Sequence, residues 1–277
     1  MTAYPSHPIA ETEMLSGFRQ FLALTWTLAV TDWKLRFYGS FLGYVWQLAR
    51  PFAFFGVIYV VFTQIVGLGD EIEHYGVYIL FALVLFNFFA EVTNGCVRSL
   101  VARENLLRKV SFPRLAIPIS ITVTGLLNLG GTLLAVLIFA VANGVYPGWG
   151  WLELPVLVFL LALLASGVGM TLSVLYVRYR DVEPIWEVVT QILFYASPVL
   201  YVSTLVDSCC QRPYVAQPLA TIMTEMRHSV IDSTAPDVAT AIGGGYRLLL
   251  PLAIILGAFA LGLWLFNREA PRIAEYL

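Results

Sequence analysis

Residues 75–97 read YGVYILFALVLFNFFAEVTNGCV, and Glu91 is the one charged side chain in this stretch. A helix of about 20 apolar residues crosses the hydrocarbon core of a bilayer, so the stretch predicts a transmembrane helix. Five further apolar stretches lie near 44–67, 115–142, 152–176, 185–203 and 247–267. The sequence therefore predicts an all-α polytopic membrane protein, in which residues 1–277 form a single transmembrane domain with six transmembrane helices.

The composition supports the same class. Hydrophobic residues make up 59% of the chain and charged residues 12%, whereas about 25% of the residues in a typical soluble domain are charged. A soluble fold needs a polar exterior, so the composition excludes a soluble enzyme, a secreted disulfide scaffold and a disordered protein. The net charge of −2 provides no basic field for nucleic acid, and no nucleic-acid partner is expected.

The distribution of lysine and arginine predicts the orientation. If the N-terminus is cytoplasmic, 13 of the 16 basic residues fall in cytoplasmic segments and three, Arg212, Arg227 and Arg247, fall outside. Cytoplasmic loops carry the excess of basic residues in membrane proteins. We therefore expect a multi-pass protein of the bacterial inner membrane with both termini in the cytoplasm.

Three segments outside the spans have distinct patterns. Residues 11–32 place apolar side chains at helical spacing and predict an amphipathic helix lying at the membrane interface. Residues 98–112 form a short loop that is rich in charge, with leucines spaced for a short helix. Residues 204–246 contain three prolines and the Gly243-Gly244-Gly245 run, which favours a folded cap or re-entrant element.

The sequence lacks the motifs of membrane enzymes and of nucleotide binding. It has no HExxH, no GxSxG and no paired acidic motif for Mg²⁺, and neither of its two lysines lies in a P-loop pattern. No metal site and no cofactor are therefore expected in this chain. If ATP drives its work, a partner chain must hold the ATP and Mg²⁺.

A polar stripe interrupts the second predicted span. Asn87, Glu91 and Asn94 follow at i, i+4 and i+7, and polar side chains in lipid normally face protein or water. A structural ion pair of Glu91 with Arg50 or Arg98 is favoured over a substrate contact. Arg50 itself has two readings: it snorkels to the headgroups, or it faces a cavity and attracts an anionic headgroup.

Aromatic residues are dense in and before the first span, and a second group lies on the fifth. On one continuous helix the first group would share a face and line a glycan path; the alternative is that they pack against helices or lipid. The same two interpretations apply to both groups. The residues predicted to line a channel are Phe37, Tyr38, Tyr44, Phe52, Phe55, Tyr59, Tyr195 and Tyr201.

Four blocks of sequence resemble the ABC-2-type permeases that export polysaccharides, such as O-antigen, teichoic acid, capsule and actinobacterial galactan. The resemblance extends over residues 15–275. Two departures are Phe37, where tyrosine is usual, and Gln217-Pro218, where Asn-Pro is usual. The blocks are DWKLRFYGSFLGYVW at 32–46 with Pro51, ENLLRKVSFPR at 104–114 with Pro118, RDV at 180–182, and SPV at 197–199 with Tyr201.

The resemblance implies a homodimer around a glycan channel, with two copies of a separate ATPase. It implies short gate helices within 204–240 and a coupling helix at 101–110. It suggests a polyprenyl-diphosphate-linked glycan as cargo, with galactan preferred, and Lys34, Arg36 and Arg50 as partners of the diphosphate. The ATPase-coupling residues would be Arg103, Glu104, Asn105, Leu106, Leu107, Arg108 and Lys109.

Two other functions stay open on the sequence. One is an ABC-2 permease for another amphiphile, such as a drug or a lipid. The other is a membrane-embedded transferase acting on polyprenyl phosphate, against which the missing acidic metal motif argues.

Overall fold

The computed structural model describes residues 9–37, 41–65, 67, 72–104, 113–206 and 208–276, and within this part every regular element is helical. Near the chain ends and at some of the gaps only the backbone is described. The first helix, α1 (Ile9–Phe37), runs further in both directions than the predicted segment 11–32. Thr25 and Ala29 on one side of α1 are buried. The helix therefore packs against the bundle in addition to exposing Phe18, Leu22 and Trp26.

The long helices that follow agree closely with the predicted spans. They are α2 (Phe41–Val60), which continues as a π-helical turn (Val61–Ile65), α3 (Tyr75–Val97), the single turn α4 (Ser99–Ala102), α5 (Ala116–Ala142) and α6 (Leu154–Arg178). Pro51 lies inside α2, ten residues after its first residue.

The fifth predicted span is shorter than expected. The helix α7 (Val182–Ala196) has 15 residues and a length of about 22 Å, against a hydrocarbon core of about 30 Å. It ends because Ser197 precedes Pro198 and adopts an extended conformation (φ −105°, ψ 154°), as residues before proline usually do. Among the described residues, five helices are long and apolar enough to cross a membrane, so six full spans are not confirmed.

The segment after α7 folds back into the bundle as short helices. These are α8 (Ser208–Val215), α9 (Pro218–Met226) with a π-helical turn (Arg227–Ile231), and α10 (Val238–Ile242). Most side chains of α9 are buried. This segment is therefore a packed element of the domain, and its role as a folded cap or a re-entrant element stays a prediction. The last helix, α11 (Leu249–Tyr276), extends beyond the predicted end at residue 267.

The helix α3 forms the centre of the bundle and packs against α2, α5, α6 and α7. The most extensive pairing joins α6 and α11. At this crossing a side chain on Gly167 would collide with the backbone of α11 at Ala258 and Phe259, and one on Gly262 would collide with the backbone at Gly167. Small residues let helix backbones approach closely in membranes, where van der Waals packing replaces the hydrophobic driving force.

Candidate functional site: a polar cavity between three helices

The polar stripe of α3 is exposed, whereas neighbouring helices enclose the rest of this helix. The exposed residues of α3 are Asn87, Asn94 and Gly95, with Ala90 and Glu91 partly exposed beside them, whereas nearly all other side chains of this helix are buried. The spacing of Asn87, Glu91 and Asn94 thus places them on one face, as the sequence predicts.

This face lines a cavity of about 830 Å³ between α2, α3 and α5. The cavity lies toward the end of the bundle that carries Arg98 and Arg103, which we call the basic end, because the lining residues of α3 come mainly from its second half and those of α2 mainly from its first half. Its lining comprises Arg36, Gly43, Trp46, Gln47, Arg50, Pro51, Phe54, Val84, Asn87, Phe88, Ala90, Glu91, Asn94, Gly125, Asn128, Leu129 and Thr132.

Glu91 is held from two sides. Arg36 of α1 forms an ion pair with its Oε1, and the Nδ2 of Asn128 donates a hydrogen bond of 2.7 Å to the same oxygen. The two partners expected from the sequence are therefore wrong. Arg98 instead pairs with Glu183, and the hydrogen bond that Arg98 donates to this carboxylate raises the pKa of Arg98. Arg50 has no carboxylate within ion-pair distance among the described residues.

The three basic residues proposed to bind an anionic headgroup therefore differ in how accessible their charges are. Arg50 is exposed on the cavity wall with its charge unpaired within the described part of the chain, whereas the charge of Arg36 is shared with Glu91. Lys34 is exposed on α1 and does not belong to the cavity lining. Of the three, Arg50 is the cation most open to an anion.

Of the aromatic residues predicted to line a channel, those whose side chains the structure describes do not line this cavity. Phe52 and Phe55 both pack edge-on against Phe139, with ring centroids 6.3 Å and 5.6 Å apart, and Tyr59 stacks obliquely on Phe55. This is the helix-packing interpretation that the sequence left open. The side chains of Phe37, Tyr38 and Tyr44 lie outside the described residues, and a role in a channel stays a prediction.

Three other aromatic residues do line the cavity: Trp46, Phe54 and Phe88. Sequence reasoning missed them because it followed the aromatic periodicity of α2 alone. The polar side chains of Gln47 and Arg50 give the better signal, since Gly43 and Phe54 lie at steps of four residues on either side of them and share the same face of α2.

The loop predicted to couple to an ATPase is described only at its start. Arg103 forms an ion pair with Asp32 of α1 and is largely buried, so this side chain joins two parts of the domain. Glu104 also makes a contact within the protein. Asn105, Leu106, Leu107, Arg108 and Lys109 lie outside the described residues, and their role stays a prediction. The described residues contain no cluster of side chains suited to a metal ion.

Comparison with known proteins identifies the architecture to which this cavity belongs. The family model described as ABC-2 type transporter matches residues 23–230, from α1 into the π-helical turn after α9. The chain belongs to the ABC-2 type transporter family. The match includes every residue that lines the cavity, so the cavity is part of the family domain itself.

Similar proteins are permeases of export systems. The chain is 27% identical to the O-antigen export system permease protein RfbA of Klebsiella pneumoniae over 247 residues, which cover 89% of this chain and 92% of the relative. It is 28% identical to the protein of the same name from Myxococcus xanthus over 220 residues, with 79% and 84% covered. The chain is thus a multi-pass transport component of the ABC-2 class.

A second polar group of this ABC-2 protein lies at the opposite end of the bundle. Tyr75 donates a hydrogen bond of 2.6 Å to the carbonyl of Leu200, and Tyr78 donates to the carbonyls of Pro198 and Tyr201. We call this group, together with Ser197, Gln217 and Tyr214, the tyrosine cluster. These bonds fix the chain where α7 ends.

The remaining members of the tyrosine cluster extend it to the short helices. Gln217 donates to Ser197 Oγ at 3.2 Å, and Tyr214 donates to the hydroxyl of Tyr201 at 3.0 Å. Burial, followed by the hydrogen bond to Tyr201, raises the pKa of Tyr214, so it remains a neutral donor. Gln217, which stands where Asn is usual before Pro218, therefore has a structural role through its contact with Ser197. The hydroxyl of Tyr201 donates a hydrogen bond to the carbonyl of Tyr195.

Proposed function

We propose that this chain is the membrane subunit of an ATP-driven exporter of a polyprenyl-diphosphate-linked polysaccharide, either galactan or an O-antigen-like polymer. The printed names of its relatives, O-antigen export system permeases, support the cargo class. The observation that carries the proposal is the open cavity at the basic end, which presents the unpaired guanidinium of Arg50 on a wall that also holds amides and aromatic rings.

Arg50 is the primary partner of the diphosphate in this proposal. A guanidinium binds phosphate oxygens through charge-assisted hydrogen bonds that are stronger than neutral ones. Arg36 supports the same site, but its pairing with Glu91 partly neutralises it. Lys34 is exposed on α1 and would attract the anion from the basic end.

The energy source is a partner ATPase. The chain has no P-loop sequence, so two copies of a nucleotide-binding subunit supply ATP and Mg²⁺ and bind at the loop containing 103–109. The positive-inside pattern supports a cytoplasmic location of this loop and of both termini, with the domain in the inner membrane. The ion pair between Arg103 and Asp32 would transmit movement of the loop to α1.

A second copy of the chain completes the path. The helix α7 exposes Glu187, Gln191 and Tyr195 at steps of four residues, and therefore on one face. A polar stripe exposed to lipid is costly, so this face would meet water or a partner. Two copies facing each other through α7 would enclose a polar path, and Tyr195 would line it.

Depletion of the protein in its native cell tests the proposal. Polyprenyl-linked glycans are then quantified separately in the two membrane leaflets. Full-length lipid-linked polymer accumulating on the cytoplasmic side supports an exporter, and the sugars of that polymer name the cargo. An unchanged glycan pool with another amphiphile retained would assign the permease to a drug or lipid, and missing or shortened chains would assign it to synthesis.

A charge substitution tests the role of Arg50. We expect Arg50→Gln to lower export about tenfold, because a hydrogen bond to a charged group contributes about 1.5–3 kcal/mol. Assembly with the ATPase should be unchanged. The matched control is Arg268→Gln, which removes a cation from α11 where Arg268 lies over the ring of Trp264. Equal export by both variants would contradict the assignment of Arg50.

A further inference from the structure

Two arginines meet at the end of the bundle that holds the tyrosine cluster. Arg212 lies on α8, and Arg247 lies in a 3₁₀ turn (Gly245–Leu248) directly before α11. A Cβ atom added to Gly243 would lie 3.3 Å from Nε of Arg212 and 3.2 Å from Nη1 of Arg247. Gly243 is itself exposed. The two guanidinium groups therefore lie side by side at the surface, close enough for a single anion to contact both.

Neither of these two charges is paired with a carboxylate among the described residues. Three basic residues are predicted to lie outside the cytoplasm, and the third, Arg227, pairs with Asp232. Arg212 is exposed and makes no hydrogen bond within the described part of the chain. Like charges placed next to each other repel, so an anion bound between Arg212 and Arg247 would stabilise the pair.

Arg247 is held in a fixed position by its neighbours. Its Nη1 donates a hydrogen bond of 3.0 Å to the carbonyl of Ile242 at the end of α10. Its Nε donates to the hydroxyl of Tyr246 at 3.0 Å, and the guanidinium lies 5.4 Å from the centroid of the same ring. A guanidinium has five N–H donors, so these two bonds orient the group and leave other donors for a ligand.

An apolar pocket of about 560 Å³ adjoins the two charges. Polar atoms contribute almost none of its surface, so the two arginines line it chiefly with their carbon atoms. The pocket opens beside the first residues of α11, where Leu249 and Leu250 are 66% and 54% exposed. The other lining residues are Pro213, Ala216, Ile242 and Tyr246.

The combination of charge and apolar surface selects the class of ligand. A guanidinium pair favours a phosphate group, which accepts charge-assisted hydrogen bonds. A free phosphate would gain nothing from the apolar pocket, whereas the hydrocarbon chain of a lipid would fill it. Tyr246 is 69% exposed, and exposed tyrosines are typical of the depth at which lipid headgroups lie.

We propose that Arg212, Arg247 and the adjoining pocket bind an anionic phospholipid of the surrounding bilayer, with its phosphate between the two guanidinium groups and part of an acyl chain in the pocket. Neither arginine lines the cavity proposed for the diphosphate of the cargo, which lies at the opposite, basic end. The site opens instead beside the exposed leucines of α11. A lipid bound there would connect α8 to the start of α11, whichever cargo the permease exports.

Photo-crosslinking of lipids to the full-length chain in nanodiscs tests the inference. The bilayer contains equal amounts of phosphatidylglycerol and phosphatidylethanolamine with the same acyl chains, and the captured lipid is identified by its mass. A photoreactive amino acid replaces Leu249 in the pocket or, as the control, Leu256, which is exposed further along α11. Each arginine near a membrane surface should enrich an anionic lipid about fivefold. Phosphatidylglycerol should therefore predominate at position 249, and position 256 should capture the two lipids equally.

Substitutions of Arg212 show whether its charge causes the enrichment. Arg212 has no hydrogen bond to lose, so Arg212→Gln should fold like the wild type and lower the enrichment at position 249 about fivefold. Arg212→Lys keeps the charge and should retain most of the enrichment. Arg268→Gln, which removes a cation from the other end of α11, should leave it unchanged. Arg247→Gln would also remove the hydrogen bond to Ile242, so Arg212→Gln decides the question.

Three results would overturn the lipid site. They are equal capture of both lipids at position 249 in the wild type, the same excess of phosphatidylglycerol at position 256, and an undiminished excess in Arg212→Gln. A further arm includes polyprenyl phosphate as a minor component of the bilayer. Its capture at position 249 in preference to phosphatidylglycerol would assign the site to a carrier lipid and contradict the bilayer phospholipid.

Discussion

The two polar groups of this bundle differ in how their hydrogen bonds are satisfied. In the tyrosine cluster, the hydroxyls of Tyr75 and Tyr78 bind carbonyls at the end of α7, and no buried side-chain polar atom of the cluster is without a partner in the described structure. In the cavity, Asn128 and Gln47 each retain a buried oxygen without a donor. Polar groups in a membrane domain thus serve two purposes here.

The difference separates structure from function. A hydrogen-bond network in which every group has a partner makes the chain rigid in a low-dielectric interior. This suits the non-helical residues that follow α7 inside the bundle. The oxygens of Asn128 and Gln47 that lack donors belong to residues that line the 830 Å³ cavity. The following changes should therefore affect stability at one end and transport at the other.

The largest effect on stability is expected from Tyr75→Phe combined with Tyr78→Phe. The carbonyls of Pro198, Leu200 and Tyr201 lose their donors, which should lower the free energy of unfolding by about 2–4 kcal/mol. Thermal unfolding in detergent measures it. Tyr146→Phe is the control because Tyr146 is 75% exposed. A midpoint within 1 °C of the control, taken as roughly the resolution of the method, would contradict a structural role for the cluster.

The isosteric change Glu91→Gln tests the cavity, the second of the two polar groups. It removes the ion pair with Arg36, whose side chain is 49% exposed, and pairs this exposed contribute about 1 kcal/mol or less. Export per folded molecule should nevertheless fall about tenfold, since the charge that orients Asn128 and Arg36 is lost. Export that falls only in proportion to the amount of folded protein would show that Glu91 contributes to stability and not to transport.

A smaller effect is expected at the departure from the usual Asn-Pro. Gln217→Leu removes the hydrogen bonding between Gln217 and Ser197 and should cost about 1 kcal/mol in unfolding free energy. Gln20→Leu on the exposed face of α1 serves as the control in the same chemical denaturation experiment. Equal stabilities of the two variants would show that Gln217 contributes nothing to the tyrosine cluster.

The smallest effect is a pH dependence at Asp232, in the segment after α9. Burial acts to raise the pKa of Asp232, but hydrogen bonds from Thr234 and the charge of Arg227 outweigh it, so the pKa lies below its ordinary value of 3.8. Because the folded pKa is depressed, the stabilisation is present above pH 3.8 and is lost as pH falls through the folded value.

Asp232→Asn should therefore destabilise the protein at pH 7 and match the wild type at the lowest pH that the protein tolerates. Unfolding measured between pH 7 and pH 2 checks this. A stability difference that is the same at every pH would assign the effect of Asp232 to packing rather than to its charge.

Sequence reasoning predicted the elements that depend on local pattern. The bounds of α3 (Tyr75–Val97) are those predicted, because length and lack of charge determine a helix buried on almost all sides. The stripe of Asn87, Glu91 and Asn94 also follows from helical periodicity alone, and so its common face was predictable.

The parts that depend on tertiary contacts could not be predicted in the same way. The partner of Glu91 is Arg36, 55 residues away, and no local pattern selects it over Arg50 or Arg98. Likewise, beyond the end of α7 at Ala196, the carbonyls of Pro198, Leu200 and Tyr201 find their donors in Tyr75 and Tyr78, which are more than 100 residues away in sequence. The orphaned oxygens of Asn128 and Gln47 become visible only when three helices meet.

Photo-crosslinking in the native cell tests the central claim most directly. A photoreactive amino acid replaces Phe54, which lines the cavity, or Leu256, which is 48% exposed on α11. The account predicts that glycan-bearing lipid is captured from position 54 and that position 256 captures ordinary lipid without glycan. Equal capture of glycan at both positions, or none at position 54 while lipid-linked polymer is being exported, would contradict it.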